Sequence, residues 1–351
     1  MRILLVYTGW LGDVIMSSVI IKPLRKHFPD AKIDVFTMFS SSKQFMEMID
    51  DVDDIFYYPM MEKGLVKSLF YLRELREYRY DISIMFFPSY RKEYAIVSYL
   101  IGAKKRMGFK FPKGYFTECG FLYTDLIEVD ESIHNVSNAA KILEKLGLDI
   151  PEDLDLPFPN LHDTDINDFF LNKEYIFLHN GVSTTKGGSK YRKLPDDVFM
   201  DLIVNLIERK QFLVINKGPN ETFSARASDF LKGLEIDGKI IIWSSEDLFK
   251  TAQVIANSRL IISTDSGIHH LAASLKKPIV LVLSFTSEKL ISPWNTKYIV
   301  VRDENLSCSP CYTSYTKKSF ECINQSKWQC RNVEISAIIE ALNMLWKNDC
   351  C

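Results

Sequence analysis

Two doubly wound α/β domains in tandem are the architecture this sequence predicts, and three observations predict it. Short apolar runs alternate with helix-length segments from residue 2 to residue 146, and again from 175 to 284. Those runs lack a polar face, as parallel strands enclosed between helix layers require. The chain, at 351 residues, also exceeds the size at which a single core keeps growing.

Taken in order, RILLVY (2–7) reads as a strand, 14–28 as a helix that Pro23 should kink or split, and AKIDVFT (31–37) as a second strand. A strand, loop, helix, strand unit implies a parallel sheet with a right-handed crossover. There follow a strand near 54–58, a helix near 63–77, the strand DISIMFF (81–87), a helix near 91–101 and a helix near 134–146 ending at Gly147. The proline-rich, acidic stretch 149–163 reads as a linker between an N-terminal domain, 1–155, and a C-terminal domain, 165–332. In the second domain the strands are 175–180, 212–216, 239–243, 259–263 and 278–284; the helices are 196–209, 221–232, 246–256 and 267–275. A cysteine-rich segment, 308–330, precedes a last helix at 333–347, within a tail (333–351) expected to pack back on the first domain.

A net charge of -2 gives no basic excess, which argues against nucleic acid as a partner. The start is too poor in apolar residues for a signal peptide, and no apolar run reaches the roughly 18 residues of a membrane span, so a cytoplasmic protein is expected.

Ligands of open α/β sheets sit at the carboxyl ends of the strands, and three loops there carry chemistry. GWLGDV (9–14) has the outline of a phosphate loop but fits neither the dinucleotide fingerprint nor the P-loop, and it places an acid, Asp13, where a helix begins. The plain alternative for Asp13 is an N-cap. The loop 179–195 offers Ser183, Thr184 and Thr185, the cations Lys190 and Arg192, and three glycines, a donor set suited to a diphosphate; a solvated surface loop is the alternative. In STDSGIHHLAASL (263–275), Ser266 and Gly267 open a helix whose free N–H groups suit an anion, and Asp265 has the same N-cap alternative as Asp13. Of the adjacent His269 and His270, about 100° apart on a helix, at most one should face a ligand.

Together these loops resemble glycosyltransferase family 9, the heptosyltransferases that build the inner core of lipopolysaccharide. The matching stretches are Trp10–Val14 (WLGDV), FPDAKID (28–34), DSGIHHLAA (265–273) and CSPC (308–311). The resemblance implies a GT-B architecture, two Rossmann-like domains facing across a cleft. It implies an ADP-activated heptose or related sugar held by the second domain, and a lipopolysaccharide core acceptor held by the first. It also implies inversion at the anomeric carbon without a catalytic metal or other cofactor, with Asp13 at the family's base position. A carboxylate at a helix N-terminus has its charged form favoured, and a weak base suffices if the acceptor proton becomes acidic only as the new C–O bond forms. Arg192 stands where family members often carry Lys, so Lys190 remains an alternative phosphate ligand. His270 matches the family histidine, and Asp265 is expected to contact the sugar or order its loop. Glu221 matches the acid that binds the nucleotide ribose, the alternative being an ordinary helix N-terminal Glu.

Gly12, Arg91, Lys104, Lys105 and Arg106 are the acceptor-side candidates, the cations suiting acidic sugars, phosphates and the headgroups of an inner membrane touched peripherally. A solvated face is the alternative. Cys308, Cys311, Cys322 and Cys330, spaced C-x2-C-x10-C-x7-C, could hold a structural zinc or iron, with free thiols or disulfides as alternatives. Heptose transfer to an autotransporter protein, a catalytically silent nucleotide-sugar-binding module and a nucleotide-sugar epimerase are the competing functions.

Overall fold

The first apolar run forms strand β1 (Arg2–Tyr7), five of whose six residues are buried, and it lies inside a parallel sheet with neighbours on both sides. This computed structural model describes residues 1–86, 91–111, 118–161, 168–181, 187–219, 221–312, 322 and 328–347. The chain divides into two units, Met1–Asn160 and Leu161–Cys351, and each carries one six-stranded sheet.

After β1 the first unit runs through α1 (Leu11–Ser17), α2 (Ile21–His27), β2 (Lys32–Thr37), α3 (Ser40–Met46), β3 (Ile55–Tyr57), α4 (Met60–Lys63) and α5 (Leu65–Glu77). It continues with β4 (Ile82–Met85), α6 (Lys92–Ile101), β5 (Lys105–Lys110), β6 (Asp125–Glu128) and α7 (Asn135–Lys145). The expected break at Pro23 is present: a 3-10 turn at Ser18–Ile20 separates α1 from α2. Proline lacks the N–H of a helical bond and its ring crowds the carbonyl four residues back. The first helix begins earlier than the sequence suggests, at Leu11, so Asp13 is its third residue and not its N-cap.

The second unit contains α8 (Asp168–Asn172), β7 (Ile176–His179), α9 (Asp196–Glu208), β8 (Leu213–Asn216), α10 (Ala225–Ile236), β9 (Ile240–Trp243) and α11 (Leu248–Asn257). Then come β10 (Leu260–Thr264), α12 (Gly267–Ser274), β11 (Ile279–Val282), α13 (Glu288–Ile291), β12 (Tyr298–Val301) and α14 (Ile335–Lys347). Helix α10 starts at Ala225, where the Ser224 side chain accepts from the Ala227 N–H at 3.2 Å, so Glu221 precedes the helix.

Both sheets have the same strand order, β3-β2-β1-β4-β5-β6 and β12-β11-β10-β7-β8-β9, with every pair parallel. The order reverses between β1 and β4 and between β7 and β10. At such a reversal successive crossovers leave on opposite faces and open a crevice at the carboxyl edge. The loops holding Asp13, Gly181 and Asp265 all start at these strands.

Whereas the last helix was expected to return to the first domain, the apolar side of α14, with Ile338, Ile339, Leu342 and Leu345, is buried in the second unit's core with β7, β8 and β11 residues. Its period-matched stripe is satisfied there. Among the described residues no helix is long and apolar enough to cross a membrane.

Candidate active site

In the first unit the loop after β1 turns directly into α1. Asp13 is partly exposed, and its Oδ2 accepts a hydrogen bond from the Trp10 N–H at 3.2 Å, one of the donors that a helix start leaves without an intrahelical partner. Trp10 is exposed and lies with its ring 4.2 Å from that of Phe39, in the loop after β2. Gly12 is the second residue of α1. Arg91 precedes α6, on the same carboxyl edge, and pairs with Glu93 at 3.4 Å.

The other acceptor-side candidates lie elsewhere, which corrects that expectation. Lys104 and Lys105 sit where β5 begins, at the amino edge of the sheet, opposite to Asp13. Lys104 pairs with Asp81 at 2.7 Å, and Lys105 lies 3.9 Å from Asp125. Arg106, next on β5, donates to the carbonyls of Leu122 and Ala103. Strand β5 went unrecognised in the sequence because its cations read as a solvated face.

In the second unit Asn180 closes the excursion after β7: its Oδ1 accepts from Leu194 N at 2.8 Å and its Nδ2 donates to Leu194 O at 3.2 Å. Ser183, Thr184 and Thr185 lie outside the described residues. Near the loop's end, the Arg192 Nε is 3.3 Å from Asp265 Oδ2, and Thr286 Oγ1 donates to that same oxygen at 2.7 Å. Asp265 is buried, so its charge depends on such partners. Lys190 is exposed and stands over the Tyr191 ring, 5.0 Å from its centroid. Of the two candidate phosphate ligands, Arg192 is the one that reaches Asp265.

Ser266 caps α12. Its side chain accepts from the His269 N–H, and its own N–H donates to His269 Nδ1 at 3.2 Å. With Nδ1 accepting, the proton is assigned to Nε2, which donates to Ile291 O at 3.1 Å. Burial pushes the His269 pKa down, so the ring is held neutral. His269 is thus a structural residue of the turn. His270 is buried against it, ring centroids 3.8 Å apart.

Glu221 is fixed by the Gly218 N–H, which donates to its Oε2 at 3.0 Å; its Oε1 lies 3.8 Å from His179 Nε2. Asn216 Nδ2, at the end of β8, donates to His179 Nδ1 at 2.9 Å, directing the Nε2 proton toward Glu221. Burial lowers the pKa of His179, opposed by the Glu221 charge. Gly181 is required here, since a Cβ would run into the Glu221 carboxylate and the His179 ring. His179, Asn180, Asn216 and Thr286 were missed from sequence. Their common signal is a polar residue at or just beyond the carboxyl end of an apolar strand.

The cysteine segment braces this wall. Cys311 N and Tyr312 N donate to Phe285 O, at 3.1 and 2.9 Å, beside Thr286. Trp328 stacks on Tyr191 at 4.0 Å, and Arg331 Nε donates to Lys193 O at 2.8 Å, either side of Arg192. The Cys330 thiol is pushed up to about 11, by burial first and then by Cys311, Cys322 and Cys308. Among the described residues no three His, Cys, Asp or Glu side chains meet in a metal-binding group. The expected zinc or iron site is therefore not supported among the described residues, and Cys308, Cys311, Cys322 and Cys330 are not joined in disulfides there.

Two parallel six-stranded sheets, each with a switch point, one beside a carboxylate at a helix start and one beside an Arg–Asp–Thr network and a fixed glutamate, are the two Rossmann-like domains of the GT-B class of sugar-transferring enzymes. The chain belongs to glycosyltransferase family 9 (heptosyltransferase), whose family model matches residues 69–322. It is similar to lipopolysaccharide heptosyltransferase 2 of Escherichia coli K12, 23% identical over 86% of this chain and 88% of the relative. It is likewise similar to lipooligosaccharide heptosyltransferase 2 of Campylobacter jejuni, 24% identical over 89% of each chain. The solved structure of the E. coli ADP-heptose lipopolysaccharide heptosyltransferase II shares the fold over 100% of both chains, with a TM-score of 0.73 at 20% identity.

Proposed function

We propose that the protein transfers heptose, with inversion, from ADP-heptose to a sugar of a lipopolysaccharide inner core. The observation that carries this reading is the Arg192–Asp265–Thr286 network at the second switch point, next to Glu221 held against Gly181. Glu221, pinned by the Gly218 N–H, accepts hydrogen bonds from the ribose hydroxyls. Arg192 and the opening N–H groups of α12 take the diphosphate, whose negative charge grows as the glycosidic bond to phosphate breaks. The Asp265 carboxylate holds Arg192 in that position and keeps one edge of the guanidinium occupied, leaving the other for phosphate oxygens.

On the acceptor side Asp13 takes the proton of the attacking hydroxyl as the new C–O bond forms, and Arg91 meets acidic groups of the acceptor. Attack on the face opposite the departing ADP inverts the anomeric centre, and the oxocarbenium-like charge on the ring is stabilised by nearby carboxylate. The relatives support the same reading: the E. coli K12 relative is a lipopolysaccharide heptosyltransferase, and the E. coli protein of the similar solved structure is an ADP-heptose lipopolysaccharide heptosyltransferase.

The test is incubation with ADP-heptose and a Kdo-containing acceptor, followed by product analysis. Release of ADP with a heptoside of inverted configuration is expected. Retained configuration, or a sugar still attached to its nucleotide, would overturn the proposal.

A further inference from the structure

Helix α5 is built in two unlike halves. Its second half turns Leu72 and Leu75 into the core of the first unit. In its first six residues only Ser68 is buried; Leu65, Val66 and Phe70 are 76%, 66% and 63% exposed, and Leu69 and the preceding Met61 of α4 are exposed as well. Five large apolar side chains on two adjoining turns exceed the scattered exposure of an ordinary surface.

Lys63 and Lys67 are interleaved with this row, both exposed, and neither side chain has an ion-pair partner among the described residues. Across residues 60–73 the single acid, Glu62, is outnumbered by Lys63, Lys67 and Arg73. Apolar side chains with lysines between them match a bilayer surface: the former enter the acyl boundary while the ammonium groups stay at the level of anionic phosphates. A symmetric contact with a second copy would set this net-positive face against an equally positive one.

Topology gives the face a direction. All six strands of the first sheet are parallel, so α4 and the start of α5, which follow β3, stand on the same carboxyl edge as the Asp13 loop, which follows β1. We infer that Met61, Leu65, Val66, Leu69 and Phe70, with Lys63 and Lys67, form a docking surface for an anionic lipid bilayer on the Asp13 edge of the first unit. The bilayer contact stands without the donor chemistry. Only its use, keeping a lipid-anchored acceptor near Asp13, rests on the proposed function.

The experiment is flotation of the full chain with vesicles of phosphatidylethanolamine and phosphatidylglycerol, compared with phosphatidylcholine alone. It uses neither donor nor acceptor, so it reads this surface separately from the transfer reaction. The protein is expected to float with the anionic vesicles and to be released by salt. Leu65→Ser with Phe70→Ser, and separately Lys63→Glu with Lys67→Glu, should each weaken binding by about tenfold or more while leaving the melting temperature of these exposed positions close to wild type. Absence of the wild-type chain from both vesicle fractions would overturn the inference, as would binding at the wild-type level by both variants. So would a wild-type dimer that Leu65→Ser with Phe70→Ser dissociates, because the face would then join two copies.

Discussion

Arg192 and Asp265 show how far a single residue can be read. That cations follow the carboxyl end of β7 was legible in the sequence. Which of them meets Asp265 was not, because Lys190 and Arg192 are two positions apart and only the turn of the backbone separates an exposed lysine from a guanidinium 3.3 Å from a buried carboxylate. Arg192→Ala should lower ADP affinity by about tenfold to a hundredfold, the size of a lost charge-assisted hydrogen bond. Isothermal titration measures it, and Arg192→Lys should recover part of the loss. His269 makes a prediction of a different kind. Its pKa is lowered by burial, so folding favours the neutral ring. That contribution is complete above the unfolded value near 6.5 and is lost as pH falls below it toward the folded value. Chemical denaturation of wild type and His269→Gln between about pH 7 and pH 5 should show a steeper acid loss in wild type, by up to about 1.4 kcal/mol per pH unit for one proton. Identical slopes would contradict the assignment.

Among elements, long apolar runs were the easiest to recognise. Strands β1, β2, β4, β7, β8, β10 and β11 lie within or close to the stretches read from sequence, because a strand buried on both faces has few other compositions available. Strands β5 and β6 were lost for the converse reason. KRMGFK carries three cations and a glycine, and DLIE is four residues bounded by acids, so neither has a period to detect. Helix starts were misjudged at α1 and α10 by a few residues, which changed the reading of Asp13 from cap to third residue. The motif FPDAKID shows a site-like signal that is structural. Asp34, fully buried on β2, accepts from Arg2 and from the Tyr80 hydroxyl, both at 2.8 Å, and so ties β1, β2 and the turn before β4 together. Asp34→Ala leaves that guanidinium and hydroxyl without their acceptor and should cost about 3 kcal/mol in urea denaturation. A change below about 1 kcal/mol would show that the pair does not hold the strands.

For the whole molecule, two sheets with the same order and the same reversal place chemistry at equivalent positions of two different units. The first unit carries a carboxylate in the first turn of α1, after β1; the second carries Arg192 beside Asp265 and a fixed glutamate, after β7, β8 and β10. Sequence spacing showed that each lies at a strand exit followed by a helix start. It did not reveal the support behind them, where Trp328 and Arg331 come from far along the chain to hold Tyr191 and Lys193. On the proposed roles, removing the Asp13 carboxylate should leave donor binding intact. The decisive measurement is turnover and ADP affinity of Asp13→Ala side by side with wild type. ADP release is expected to slow by roughly a hundredfold to ten-thousandfold with ADP affinity unchanged. A folded Asp13→Ala protein that turns over at the wild-type rate would contradict it.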